Sequence, residues 1–275
     1  MSKMSLCDMH THSQSSHDSV AGVEEMAMGA IKNGINVIAI TDHADIGYYK
    51  EHGVRALIKN SVRETTLISQ QFSDRLKILT GIELGEGIWN MDLTRELLDD
   101  HGYDVVIGSV HVVRYEGFSM PYSQIDFSRM DKEVLDRYLK MYFDDVLEVV
   151  KTVPCDIMAH LSCPFRYING KYNLNIDTRL YRQQILEILR YIIKNSIAME
   201  INTSGKDTMP EGWIIEEFKK MGGYLITLGS DAHTPENIGK DFEKTIQALK
   251  NLGFNGYYYF EKRQRIFVDY EKEAF

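Results

Sequence analysis

The sequence predicts an α/β protein in which seven parallel strands alternate with helices and close into a (β/α)7 barrel. Seven short runs rich in β-branched residues are almost continuously apolar, which is typical of parallel strands buried on both faces. Amphipathic stretches with helical spacing separate these runs. Seven such units in a chain of 275 residues favour a closed barrel over an open, doubly wound sheet.

The expected strands follow from the apolar, β-branched runs, and the expected helices follow from apolar residues at helical spacing. The strand-like runs are 6–9, 35–41, 76–82, 104–110, 156–160, 197–201 and 224–228. The helical patterns are 20–33, 56–72, 131–150, 179–194, 211–221 and 239–251, and Asp131 is an expected N-cap. We expect loops at 46–53 and 115–129, of which the first could reach over the barrel mouth. Residues 257–260 and 265–268 indicate a closing hairpin, whose place in the barrel the sequence does not give.

Composition excludes several classes of protein. Hydrophobic residues at 44% and charged residues at 26% are near globular averages, so we expect neither disorder nor a collagen-like chain. The longest apolar runs are well short of the roughly 18 residues that a membrane-spanning helix needs, and no leader is apparent. A net charge of −9 disfavours a nucleic-acid-coating surface. We expect a single domain over 1–275, a cytoplasmic location and reduced cysteines at positions 7, 155 and 163.

Seven of the nine histidines lie at or just beyond the carboxyl end of a predicted strand. Two acidic residues, Glu83 and Asp231, occupy equivalent positions. All strand carboxyl ends of a parallel barrel open on one face, so these side chains are expected to meet in one pocket. The set comprises His10, His12, His17, His43, Glu83, His111, His160, Asp231 and His233.

Imidazole nitrogens combined with carboxylate oxygens, without thiolates, suit zinc, manganese or iron(II). Nine ligand side chains exceed what one ion can use, so we expect three divalent ions with a bridging carboxylate. A single histidine in such a position is more often a hydrogen-bonded core or surface residue. The correlation of the whole set with strand ends favours a metal centre instead.

The motifs Asp8-Met9-His10-Thr11-His12, Thr41-Asp42-His43 and Asp231-Ala232-His233, together with Glu83, His111 and His160, resemble the polymerase and histidinol phosphatase (PHP) family. Ser16-His17-Asp18-Ser19 and the stretch 229–239 are most similar to its stand-alone histidinol-phosphate phosphatases. The resemblance implies a distorted seven-stranded barrel with three metal ions at the strand carboxyl ends.

The resemblance also implies a distribution of ligands. The first metal would be held by His10, His12, Glu83 and Asp231, the second by bridging Glu83 with His111 and His160, and the third by His17, His43 and His233. It further implies a histidinol-phosphate phosphatase of histidine biosynthesis, acting through in-line attack of a metal-bound hydroxide. Glu83, Asp231 and His233 would be the catalytic residues. The proton for the leaving alkoxide could come from Asp231 or from a metal-bound water.

Substrate-binding residues are less well specified by the sequence. Arg166 and Lys206, in loops after two strands, are the candidate phosphate-binding cations. The amino alcohol of histidinol phosphate could be received by Glu200, Asp42, Asp45 and the pair Tyr48–Tyr49. Asp8 and Asp42 are better interpreted as groups that orient neighbouring histidines.

Two other functions remain open at this point. PHP domains also occur as nucleases, so a nuclease or nucleotide phosphatase is an alternative, although the acidic chain lacks the basic track that a polyanion requires. A non-catalytic metal-binding module of a larger assembly is the second alternative. The expected partner is a small phosphate monoester, with no nucleic acid and no membrane; the oligomeric state stays open.

Overall fold

The barrel is present, and the prediction of a (β/α)7 fold is confirmed. A computed structural model describes residues 5–48, 53–99, 101–115 and 120–272. Seven parallel strands form one sheet in sequence order. They are β1 (Cys7–Thr11), β2 (Val37–Ile40), β3 (Lys77–Gly85), β4 (Val105–Ser109), β5 (Ile157–Met158), β6 (Ala198–Asn202) and β7 (Ile226–Gly229).

One principal helix follows each strand. These helices are α1 (Val23–Lys32), α2 (Val54–Gln71), α3 (Met91–Asp99), α4 (Lys132–Thr152), α5 (Arg182–Asn195), α6 (Gly212–Lys220) and α7 (Phe242–Asn251). Asp131 caps α4 by accepting from Val134 N at 2.8 Å, as predicted. Helix α3 was not predicted. It is short, and Thr94 is one of its two buried residues, so its apolar stripe is weak in sequence.

The barrel closes between its first and last strands at their carboxyl ends. Asp231 N donates to His10 O at 2.8 Å, and His12 N donates to Ala232 O at 2.9 Å. The β1–β2 register shifts between Asp8 and Thr11, an irregularity that falls on the first predicted metal ligand, His10. Chain closure therefore places the DxHxH motif beside the segment that carries Asp231.

Two strand ends differ from the sequence-based expectation. Strand β3 continues to Gly85, so Glu83 lies within the strand and forms a backbone bridge with His43. Strand β5 has only two residues, and His160 follows it with a φ of 27°, in the left-handed region. A non-glycine residue there is uncommon, and such residues concentrate at functional sites.

The carboxyl-terminal hairpin covers the opposite end of the barrel. Its strands are β8 (Gly256–Glu261) and β9 (Gln264–Asp269), close to the predicted positions. Tyr257 Oη donates to Ser5 O at 3.0 Å and accepts from Cys7 N at 2.9 Å, at the amino end of β1. The hairpin therefore covers the amino-terminal end of the barrel, and the histidines and carboxylates lie at the uncovered carboxyl-terminal end.

The strands are buried along nearly their whole length, and the helices bury one apolar face against them. Helix α4 contributes the largest buried side chains of any helix, among them Tyr138, Tyr142 and Phe143. Across the described ranges, every helix is too short or too polar to cross a membrane.

Candidate metal centre

Glu83 is the hub of a cluster of histidines at the carboxyl-terminal face. Its side chain is fully buried, and four imidazoles lie within 3.3 Å of its two oxygens. The distances are 3.3 Å to His10 Nε2, 2.7 Å to His43 Nδ1, 3.2 Å to His111 Nε2 and 3.0 Å to His160 Nε2. A carboxylate whose two oxygens each face imidazoles is placed to bridge two metal ions.

The first group of ligands lies where β1 meets the β7 end. His12 Nε2 is 3.1 Å and His10 Nε2 is 3.7 Å from Asp231 Oδ1. The donor atoms of these three residues all fall within 4.8 Å of one another, which is close enough to share one ion. Glu83 Oε2, 3.7 Å from His12 Nε2, completes the four residues expected for the first metal.

The second group combines the ends of β4 and β5 with Glu83. His111 Nε2 and His160 Nε2 are 3.4 Å apart, and Glu83 Oε1 lies within 3.2 Å of both. These are the three residues expected for the second metal. Two bare imidazole nitrogens gain no hydrogen bond from each other unless one is protonated, so a shared cation explains their approach better.

The third group is built around His43 and His233, two of the three residues expected for the third metal. His43 and His233 stand together, with His12 close to both. Asp18 reaches His43 Nε2 at 3.6 Å and His233 Nε2 at 3.2 Å. His17, which was expected there, is exposed and lines the cavity, with its ring centroid 5.3 Å from that of His43. The ligand clusters found in the described ranges include neither His17 nor Asp18.

Buried groups behind the histidines fix which nitrogen faces the centre. Glu200 Oε1 accepts from His10 Nδ1 at 2.6 Å, and Asp45 Oδ1 accepts from His111 Nδ1 at 2.9 Å. His12 Nδ1 lies 3.1 Å from Ser16 Oγ. A carboxylate can only accept, so the Nδ1 atoms of His10 and His111 carry the proton and Nε2 keeps its lone pair for an ion.

Asp8 and Asp42 act less directly than expected. Asp8 accepts from the backbone of Ser230 and Gly239, each at 2.9 Å, and contacts His10 only at its backbone. Asp42 accepts from three serine hydroxyls, including Ser16 Oγ at 2.8 Å, and so reaches a histidine only through that serine. Both carboxylates brace the loops that carry ligands.

The expected contacts to a substrate amino alcohol are largely wrong. Glu200 and Asp42 are buried and occupied behind the centre, so neither faces a substrate. Asp45 lines the cavity, but its carboxylate is bonded to His111. The side chains of Tyr48 and Tyr49 lie outside the described residues.

Electrostatics of the cluster fit bound cations. Burial opposes charge on Glu83 and Asp231, yet the surrounding imidazoles hold the pKa of both carboxyls well below its ordinary value. Burial and the neighbouring imidazoles of His43 and His233 lower the pKa of His12 to about 3, so this ligand is neutral. Burial also opposes charge on four other imidazoles, yet the same carboxylates raise the pKa of each of them: His10, His43, His111 and His233. A divalent ion would take the place of these protons, since metal binding requires neutral imidazoles and ionised carboxylates.

Unused hydrogen-bonding capacity points the same way. His10 Nε2 and Glu83 Oε2 are buried and, despite their close approach to each other, make no hydrogen bond of acceptable geometry within the described ranges. Orphaned polar atoms in a protein interior cost free energy, on the order of 1–3 kcal/mol each. Coordination of an ion by these atoms would remove that penalty, so the residues present fit a polynuclear metal site.

A cavity of about 480 Å³ opens above the cluster. Arg166 lines it and donates from Nη1 to Ser204 Oγ at 2.9 Å, while Ser204 Oγ lies 3.3 Å from Asp231 Oδ2. Lys206, the other expected phosphate-binding residue, lines a separate cavity beside the start of α6. The structure therefore brings Arg166, and not Lys206, to the metal cluster.

Sequence reasoning missed three residues of the site: Asp18, Glu86 and Lys240. Glu86 is buried, and its Oε1 accepts from the backbone N–H groups of His111 and, at 2.8 Å, Val112. Lys240 lines the same cavity as Arg166. Of the three, only Asp18 could have been found from the sequence, because it directly follows His17. Glu86 and Lys240 reach the site through the path of their loops, which the sequence does not show.

The seven-stranded barrel with a histidine–carboxylate cluster around a central glutamate defines a metal-dependent hydrolase. The model of the PHP domain family matches residues 8–204, and the chain belongs to this family. A probable histidinol-phosphatase of Thermotoga maritima is 30% identical over 253 residues, covering 90% of this chain and 93% of that protein.

Two comparisons concern Lactococcus lactis. Its histidinol-phosphatase is 28% identical over 261 residues, covering 92% of this chain and 93% of that protein. A crystal structure of histidinol phosphate phosphatase from this organism, in complex with zinc, L-histidinol and phosphate, has a TM-score of 0.76 at 23% identity. The match covers 96% of this chain and all of that one. The resemblance to the PHP family and the barrel fold are confirmed.

Proposed function

We propose that this chain is a histidinol-phosphatase, which hydrolyses L-histidinol phosphate to L-histidinol and phosphate in the cytoplasm, as a step of histidine biosynthesis. The observation that carries the proposal is the cluster of histidines and carboxylates around Glu83, whose overlapping groups could each hold a metal ion, directly below a cavity lined by Arg166. The full-length similarity to proteins named histidinol-phosphatase supports the choice of substrate.

We further propose three divalent ions, zinc, manganese or iron(II), as the cofactor. The first would be held by His10, His12, Asp231 and Glu83, and the second by Glu83, His111 and His160. For the third, His43 and His233 would be joined by His17, as the family resemblance implies, or by Asp18, whose carboxylate oxygens lie 3.6 Å from His43 Nε2 and 3.2 Å from His233 Nε2. Divalent ions in such a centre acidify a bound water and neutralise phosphoryl oxygens.

The residues of the chain supply orientation and charge. Arg166 offers a guanidinium to the phosphate, and its hydrogen bond to Ser204 fixes that group beside Asp231. Asp231, with a pKa held well below its ordinary value, stays ionised and suits a ligand and hydrogen-bond acceptor. Tyr122 and Tyr167, whose rings lie 5.6 Å apart, form an aromatic wall of the cavity against which the organic part of the ester can pack.

A substrate panel tests the proposal. The purified protein is supplied in turn with zinc, manganese or iron(II) and offered histidinol phosphate, other small phosphomonoesters, a dinucleotide and single-stranded DNA. We expect the highest kcat/KM on histidinol phosphate. Preferred cleavage of DNA or the dinucleotide would favour a nuclease, and turnover of none of them a non-catalytic metal module.

The variant Asp231→Asn tests the role of Asp231 in this activity. Asp74→Asn is its control, because Asp74 is exposed at the opposite end of the barrel. Loss of one ionised ligand should lower kcat/KM by at least about 100-fold. The control should keep the activity of the unmodified protein. Equal activity of both variants at full metal loading would contradict the proposed role of Asp231.

A further inference from the structure

The cavity above the metal cluster has two cationic residues in its lining, Arg166 and Lys240. Within the described chain, neither forms an ion pair with a carboxylate; the partner of Arg166 is a serine hydroxyl. Arg166 enters the cavity from the segment after β5, whereas Lys240 comes from the segment after β7. Since β6 lies between these strands in the sheet, the two cations reach the cavity mouth from different sides.

The loop that carries Lys240 is tied to the metal centre by a buried carboxylate. Asp8, which is fully buried, accepts from Ser230 N and from Gly239 N, each at 2.9 Å. Ser230 directly precedes the ligand Asp231, and Gly239 directly precedes Lys240. One carboxylate thus fixes the spacing between a metal ligand and the backbone of this lysine.

Contacts to α1 brace the same loop from outside. The Asn33 side chain donates to the carbonyl oxygens of Pro235 and Ile238, at 3.1 and 2.9 Å. Gly239 has a φ of 67°, and a Cβ added there would come within 2.5 Å of Ile35 Cδ1. The backbone below Lys240 therefore has little freedom, and its exposed side chain is presented to the cavity from a fixed base.

We propose that Lys240 is a second phosphate-binding residue of this enzyme, which acts together with Arg166 on the anionic end of the substrate. This inference rests on the phosphatase activity proposed above. An ammonium on a flexible stem can follow the phosphate as a point charge, whereas the guanidinium of Arg166 binds with directed hydrogen bonds. The lysine is thus a binding residue that contributes to the capture of phosphate more than to bond cleavage.

The variant Lys240→Gln tests this role, and Lys244→Gln is its matched control. Lys244 is also exposed and lies four residues further along, but it lines the cavity that holds Lys206. Both changes remove one positive charge from the same part of the surface. We expect Lys240→Gln to raise KM for histidinol phosphate about tenfold, with kcat within about twofold, because one charge-assisted contact is lost. The control should stay within about twofold in both constants.

Two further measurements separate this inference from the proposed function. The dissociation constant of inorganic phosphate for the metal-loaded protein, measured by calorimetry, should rise about tenfold in Lys240→Gln, with the metal content unchanged. Lys240→Arg should restore both KM and phosphate affinity to within about threefold. If Lys240→Gln and Lys244→Gln have the same phosphate affinity, the inference is overturned, whichever substrate the enzyme prefers. If the unmodified protein hydrolyses another phosphomonoester, the substrate proposal fails while the phosphate-binding measurement still decides the role of Lys240.

Discussion

Glu200 is the residue whose replacement tests the construction of the metal centre most directly. It is 1% exposed, and its two oxygens have different partners. Oε1 accepts from His10 Nδ1, while Oε2 accepts from His160 N at 2.8 Å and from Asn202 Nδ2 at 3.1 Å. A single carboxylate therefore orients one imidazole and fixes the backbone of another ligand.

The substitution Glu200→Gln keeps the shape of the side chain but provides one oxygen and one NH₂ group. If the oxygen stays on His160 N, the NH₂ group faces His10 Nδ1, and the imidazole must move its proton to Nε2. That tautomer removes the lone pair that faces Glu83 and the metal. If the amide turns over, two N–H donors meet at His160 instead.

Changes to such supporting partners lower metal affinity by about 10- to 100-fold, equivalent to about 1.4–2.8 kcal/mol. We expect a loss in this range for Glu200→Gln, measured by competition with a chromophoric chelator for zinc. The control is Glu187→Gln, which makes the same chemical change at an exposed residue of α5. Equal zinc affinity of the two variants, with circular dichroism unchanged, would refute the reasoning.

Four further outcomes are expected. A Cβ at Gly229 would lie 2.2 Å from Glu200 Oε1, so Gly229→Ala should weaken zinc binding as Glu200→Gln does. Unchanged zinc affinity in the chelator assay would show that Glu200 can move aside without disturbing the metal ligands. Asp18→Ala should lower the metal content by one ion per chain more than His17→Ala does, by elemental analysis; the reverse order would return the third site to His17. Burial, aided by Asp144, raises the pKa of Asp145 to about 6, so the folded protein is destabilised above that pH and the penalty fades as the pH falls. Asp145→Asn should therefore raise Tm at neutral pH, with no gain near pH 4, and a gain that persists in acid would contradict this assignment. Chelation of the metals should lower Tm and re-addition restore it, because ions that bind only the folded chain stabilise it; an unchanged Tm in differential scanning calorimetry would contradict the coupling of metals to the fold.

The barrel and most of the metal ligands could be predicted from the sequence. Short, nearly continuous apolar runs predict where the strands lie, and parallel strands in one barrel must end at the same face. His10, His111 and His160 therefore meet Glu83, although they are separated by up to 150 positions. Residue chemistry then gives the type of site, since imidazoles with carboxylates are ligands for divalent ions.

The tertiary structure alone decided which way the side chains between these anchors point. Glu200 lies within β6, and its carboxylate is placed behind His10. Lys206 lines a neighbouring cavity, while Lys240 lines the cavity above the metal cluster. Neither periodicity nor residue type distinguishes these cases. The physical reason is that loop direction depends on contacts between distant segments, such as the hold of Asp8 on Gly239, which leave no local pattern in the sequence.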